Sequence, residues 1–147
     1  VPQTIFLSDS SIKENIAFGI SKNKIDDELV KDSARKAQIS KTIESWEKKY
    51  DTSVGERGIK LSGGQRQRIG IARALYNKAN ILIFDEATSA LDNKTEKLVM
   101  NELECLDENL TIIMVAHRLT TLKECDLIIE LEDGEIKSQG TYSEIVK

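Results

Sequence analysis

One stretch limits the possible architectures more than any other, Leu61 to Asp92, LSGGQRQRIGIARALYNKANILIFDEATSALD. It opens on Ser62-Gly63-Gly64 and runs into a helical pattern, with Ile69, Ala72 and Leu75 on one face and Arg66, Gln67, Arg73 and Lys78 toward solvent. It ends in an apolar run, Ile81 to Phe84, followed by Asp85-Glu86. A continuous apolar run is the pattern of a parallel strand covered on both faces. Acids directly after it stand at its carboxyl end, where open α/β sheets place their ligands. The helix start upstream leaves backbone N–H groups unpaired and carries a partial positive charge, which suits an anion. Ser62 supplies a cap or a further donor, while the glycines remove side chains that would keep a phosphate off the backbone. Each piece alone also has a plainer reading, a serine N-cap beside flexible glycines and an acidic pair that caps the next helix. Together they point to phosphoryl transfer, with Asp85 holding Mg²⁺ directly or through water and Glu86 as the base that polarises the attacking water.

The flanking segments complete an α/β pattern. Residues 94–106 predict a helix with Leu98, Val99, Leu103 and Leu106 inward, and residues 111–115 a second buried strand, giving a right-handed strand–helix–strand unit. His117, the only histidine, follows that strand; a lone histidine is usually structural, yet a place beside the Asp85-Glu86 strand end makes a nucleotide contact reasonable. Residues 127–139 around Asp133-Gly134 predict a hairpin with a type I′ turn, ahead of a final helix over 142–146. Upstream, Ser11 and Glu14 form a capping box for a short helix. Helical spacing continues over 26–36 and 39–50, with Trp46 as a core anchor, and residues 51–60 read as a loop with turns at Gly55 and Gly58.

Composition excludes several alternatives. A net charge of −4 with 31% charged residues lacks the lopsided basic face that a general nucleic-acid surface needs. Cys105 and Cys125 have neither a CxxC partner nor a histidine cluster, so neither metal site nor disulfide framework is indicated and a reducing, cytosolic setting fits. Apolar runs such as Ile112 to Ala116 are far short of the roughly 20 residues that cross a bilayer. The opening on Val1-Pro2-Gln3 leads us to expect a piece of a longer polypeptide.

The motifs LSGGQ, ILIFDE and SALD resemble the signature, Walker B and D-loop segments of ATP-binding-cassette (ABC) ATPases. The resemblance extends over the whole chain. Val1-Pro2-Gln3 with Phe6-Leu7 and SIKENI is similar to the Q-loop region of exporter-type members, which implies that Gln3 reaches toward Mg²⁺ and the attacking water. TSVGERG resembles the segment that lies near the coupling helices of the membrane domain, making Glu56 and Arg57 transmission residues, although an ordinary charged turn reads the same. His117 matches the H-loop histidine that contacts the γ-phosphate. The ending DGEIKSQGTYSEI departs from the family pattern only where Tyr142 replaces a common histidine. No glycine is followed by lysine, so the GxxxxGK[ST] phosphate loop (Walker A) is absent, and the chain alone is expected to bind MgATP poorly.

The resemblance implies a P-loop NTPase-like (RecA-like) α/β fold with a partial parallel sheet, a helical signature subdomain and a C-terminal β-hairpin. It divides the chain into residues 1–76, Q-loop and signature subdomain, and 77–147, a core portion with Walker B, D-loop and H-loop. It implies ATP hydrolysis in a two-fold pair of nucleotide-binding domains, identical or different, joined to a transmembrane domain at the cytoplasmic face of a membrane. Ser62, Gly63, Gly64 and Gln65 then serve the partner's nucleotide, Asp92 is a further nucleotide-binding residue, and Asp85, Glu86, Gln3 and His117 serve the nucleotide of their own domain. Two other classes stay open. A non-transport ABC ATPase usually interrupts this region with a long coiled coil, and no sustained heptads separate Gln3 from Leu61. An inert regulatory partner would have no use for Asp85, Glu86 and His117.

Overall fold

Local capping chemistry sets the helix starts. The computed structural model describes residues 1–2, 4–87, 90–104, 110–115, 122–123 and 125–145. Helix α1 (Ile12–Ile16) opens with the expected reciprocal box, in which Ser11 Oγ accepts the Glu14 N–H and Glu14 Oε2 accepts the Ser11 N–H. Helix α2 (Asp27–Lys36) begins after Asp26, whose Oδ1 accepts the N–H groups of Glu28 and Leu29, each at 3.0 Å. The helix expected over 39–50 is shorter, and α3 covers only Ser40–Glu44. Ser45 Oγ donates to the Thr42 carbonyl at 2.7 Å and Lys49 adopts a left-handed φ of 44°, so the backbone leaves the helix before Trp46. Trp46 still packs, half-buried, against the core.

The chain forms two compact units, Val1–Met114 and Val115–Lys147. The first is built on α4 (Gly63–Tyr76), against which α1 and α2 pack. Ile69, Ile71 and Ala72 are fully buried with Ile12, Ile16, Val30 and Ala34. Of the four polar residues expected to face solvent, only Lys78 is exposed. Gln67 is buried, and the arginines reach backbone carbonyls. Arg66 Nη1 donates to Leu61 O at 2.6 Å, Arg68 Nη1 to Gln38 O at 2.7 Å, and Arg73 to Asn15 O and Phe6 O at 2.9 and 3.0 Å. A long cationic side chain can bury its stem while its head satisfies carbonyls, which helical periodicity alone does not register.

Strand β1 (Ile81–Asp85) lies beside β2 (Thr111–Val115) in a small parallel sheet, with α5 (Asn93–Glu104) between them in sequence, so the strand–helix–strand order and the α/β class are those expected. The Asp85 N–H donates to the Val1 carbonyl at 3.0 Å and the Val1 amino group to Ile83 O, which places the start of the chain along β1. Burial along β1 alternates: Leu82 and Phe84 are buried, whereas Ile81 and Ile83 are 58% and 53% exposed. The expected cover on both faces is therefore a cover on one, because the described helices of this chain bury only that side. On α5 the inward face is Glu96, Val99, Met100 and Leu103, at i, i+3, i+4 and i+7, and Leu98 faces out at 42% exposure. Leu106 lies outside the described residues.

The second unit carries an antiparallel hairpin of β3 (Ile128–Glu132) and β4 (Glu135–Gly140), followed by α6 (Tyr142–Ile145). Asp133 and Gly134 both have positive φ, 51° and 82°, as the type I′ turn requires.

Candidate active site

The first turn of α4 presents the glycine-rich segment at the surface. Ser62 Oγ accepts the Gln65 N–H at 3.2 Å and Gln65 Oε1 accepts the Ser62 N–H at 2.8 Å, a second reciprocal capping box. No acidic side chain sits in this turn, so the positive end of the helix is left uncompensated. Gly64 has a packing reason to be glycine as well, because a Cβ there would lie 3.0 Å from the Ala90 carbonyl oxygen.

Ala90 belongs to the turn that follows β1. Asp85 ends the strand, exposed, and the half-buried Glu86 takes a left-handed φ of 48°. A non-glycine residue in that region costs energy and persists only where its surroundings hold it, a condition that clusters at functional sites. Gln67 of α4 does the holding: its Nε2 donates to Glu86 O at 3.4 Å and its Oε1 accepts the Ala90 N–H at 2.9 Å. Ala87 and Leu91 are buried beneath the turn. Sequence reasoning missed Gln67. The available signal was its spacing of three from Gly70 and four from Ile71, both buried, which puts it on the inner side of the helix.

Asp92 closes this segment as the cap of α5. Its Oδ1 accepts the Thr95 N–H at 3.0 Å and its Oδ2 the Thr95 hydroxyl at 2.7 Å, and these bonds hold the carboxyl below the usual range. Burial lowers the pKa of the Arg68 guanidinium, and the charge of Asp92 acts in the opposite direction. The structure thus brings the first turns of α4 together with Glu86 and Ala90, and Arg68 within reach of the charge of Asp92. Gln3 and His117 lie outside the described residues. The Val1 carbonyl, two residues before Gln3, is bonded by the N–H of Asp85.

The donor set fits a magnesium nucleotide at the strand end. Among the described residues no three His, Cys, Asp or Glu side chains gather into a metal cage. Asp85 would supply a carboxylate oxygen at the strand end, and Mg²⁺ commonly takes one or two carboxylates with phosphate oxygens and water for the rest.

Comparisons with known proteins identify the family. The model of the family described as ABC transporter matches residues 1–89. ATP-binding cassette sub-family B member 5 of Mus musculus is 47% identical over all 147 residues, which correspond to 12% of its own length. The ATP-dependent lipid A-core flippase of Francisella novicida is 43% identical over the same span, 25% of its length. A solved structure described as a bacterial Atm1-family ABC exporter with ATP bound superposes with a TM-score of 0.93 at 40% identity, over 99% of this chain and 25% of that one. The chain spans a quarter or less of each of these proteins. With its signature helix, acidic strand end and P-loop NTPase-like α/β fold in place, this chain belongs to the ABC transporter family.

Proposed function

We propose that the chain is part of the ATP-hydrolysing nucleotide-binding domain of an ABC exporter, which couples ATP binding and hydrolysis in a two-fold dimer to transport across a membrane. The observation that carries this reading is the acidic pair Asp85-Glu86 at the carboxyl end of β1, with Glu86 held in a left-handed turn against the signature helix α4. MgATP, when bound, supplies the phosphoryl group and a metal that neutralises charge on its oxygens. Asp85 holds the metal together with Gln3, Glu86 accepts the proton of the attacking water, and His117 senses the γ-phosphate. The Ser62–Gln65 turn serves the nucleotide of the second domain, identical or different, Asp92 is a further nucleotide-binding residue, and the Asp85-Glu86 pair acts on its own domain's nucleotide, so the stretch from Leu61 to Asp92 acts on two different ATP molecules.

On this reading residues 1–76 form the Q-loop and signature portion, and residues 77–147 the core portion with Walker B, D-loop and H-loop. The absence of a GxxxxGK[ST] loop from the sequence supports weak MgATP binding by this chain alone. Among the described residues no helix is long and apolar enough to cross a membrane. The proposed membrane contact, at the cytoplasmic face, is made through a transmembrane domain. In the full-length protein, Glu86→Gln is expected to lower ATP hydrolysis by roughly 10²-fold or more while ATP-dependent pairing persists. Near-normal turnover in that variant refutes the assignment.

A further inference from the structure

A buried glutamine at the heart of an otherwise apolar helix face is costly unless both ends of its amide are satisfied. Gln67 is 4% exposed; its Nε2 donates to Glu86 O and its Oε1 accepts the Ala90 N–H. These contacts hold Glu86 and Ala90 and are made across 19 and 23 residues of sequence. Gly64, one helical turn earlier on the same side of α4, lies so close to Ala90 that a Cβ would stand 3.0 Å from its carbonyl oxygen. Ala90 is therefore approached at its N–H by Gln67 and at its C=O by Gly64. Glu86 meanwhile sits at φ 48°, a conformation that needs such support.

We infer that Gln67 is a positioning residue for hydrolysis: it holds the left-handed backbone of Glu86 from the signature helix and thereby aims the Glu86 carboxylate. The inference rests on the reading of Glu86 as the base. In this role Gln67 acts on the reaction through the backbone of Glu86. Its loss should therefore misplace the base without weakening nucleotide binding, because α4 keeps its capping box and its arginine anchors.

The test uses the full-length protein with Gln67→Leu, which removes both bonds, and Gln67→Glu, which keeps the acceptor toward Ala90 but turns an oxygen toward the Glu86 carbonyl. Misplacing a reacting group by about 1 Å costs on the order of 10²-fold, so kcat for ATP is expected to fall about 10- to 100-fold in both, with KM for MgATP changed by no more than about threefold. On a Glu86→Gln background, Gln67→Leu should produce no further loss, since a residue that acts through Glu86 has nothing left to aim. A general folding defect would instead multiply onto the first loss. If Gln67→Leu fails to fold, the near-isosteric Gln67→Glu carries the same comparisons. Turnover within about twofold of the wild type in the folded variants, or losses that multiply in the double variant, overturns the inference. Normal turnover in Glu86→Gln alone overturns the reading of Glu86 and this inference with it, whereas an inactive Glu86→Gln beside fully active Gln67 variants overturns the inference only.

Discussion

At Gly70 a single added methyl group has nowhere to go. A Cβ there would lie 2.5 Å from Ile5 Cδ1 and 2.9 Å from its Cγ1, and Ile5 is itself buried at 8% exposure. Overpacking of this kind costs about 1–3 kcal/mol, against about 1 kcal/mol gained when alanine replaces glycine inside a helix. Gly70→Ala is accordingly expected to lower the urea midpoint of unfolding, and an unchanged or raised midpoint would show that Ile5 repacks freely. Single residues are also where reading the sequence was least complete. The Ser62 cap and the place of Asp85 at the end of a strand were legible because both depend on near neighbours in the chain. Gln67 was not, because a polar residue on a helix reads as solvent-facing until a partner 19 residues away is known to lie beside it. Leu98 left its expected inward place for a related reason: Glu96 falls in register with Val99 and Leu103 and is buried with them, while Leu98 faces out.

Among the elements, α1 depends most on one ionised group. The Lys22 ammonium, 2.9 Å from Glu14 Oε1, and then the Ser11 hydroxyl and N–H pull the Glu14 carboxyl from its ordinary 4.5 to about 2. A carboxyl depressed in the folded state contributes stability that is fully present above its unfolded value and is lost as pH falls through the folded one. Glu14→Gln is therefore expected to be less stable than the wild type near neutral pH, by about 1 kcal/mol, the usual size of a helix cap. The difference should shrink as pH falls from 4.5 toward 2, and pH-dependent unfolding of the two proteins measures it. A gap that stays constant over that window would remove Glu14 from the capping role. Elements with local signals, the two capping boxes and the Asp133-Gly134 turn, came out as their residues predict. The helix over 39–50 did not, because Ser45 turned its hydroxyl back onto the Thr42 carbonyl and ended the helix early.

At the scale of the whole molecule, the described residues include an apolar sheet face in the first unit, where Ile81, Ile83 and Ile113 are each about half exposed. The apolar run of β1 was legible as a strand, but a run that suits burial on two faces carries no record of which face this chain covers. Contiguous apolar surface of this kind drives association. The isolated chain is expected to self-associate with rising concentration, and Ile83→Thr combined with Ile113→Thr should shift it toward monomer with a stability change within about 0.5 kcal/mol, as at other exposed sites. Sedimentation at several concentrations decides this, and a monomeric parent chain would sink it. The anchoring of α4 carries a different lesson, about how such a chain tolerates change. Arg66, Arg68 and Arg73 grip the carbonyls of Leu61, Gln38, Phe6 and Asn15, and every amino acid has a carbonyl. Leu61 and Gln38 can therefore vary in side chain without losing the bonds from Arg66 and Arg68, whereas Arg73 also reaches Asn15 Oδ1 at 3.4 Å and lies 4.7 Å from the centre of the Phe18 ring, so there the constraint falls on both sides of the contact.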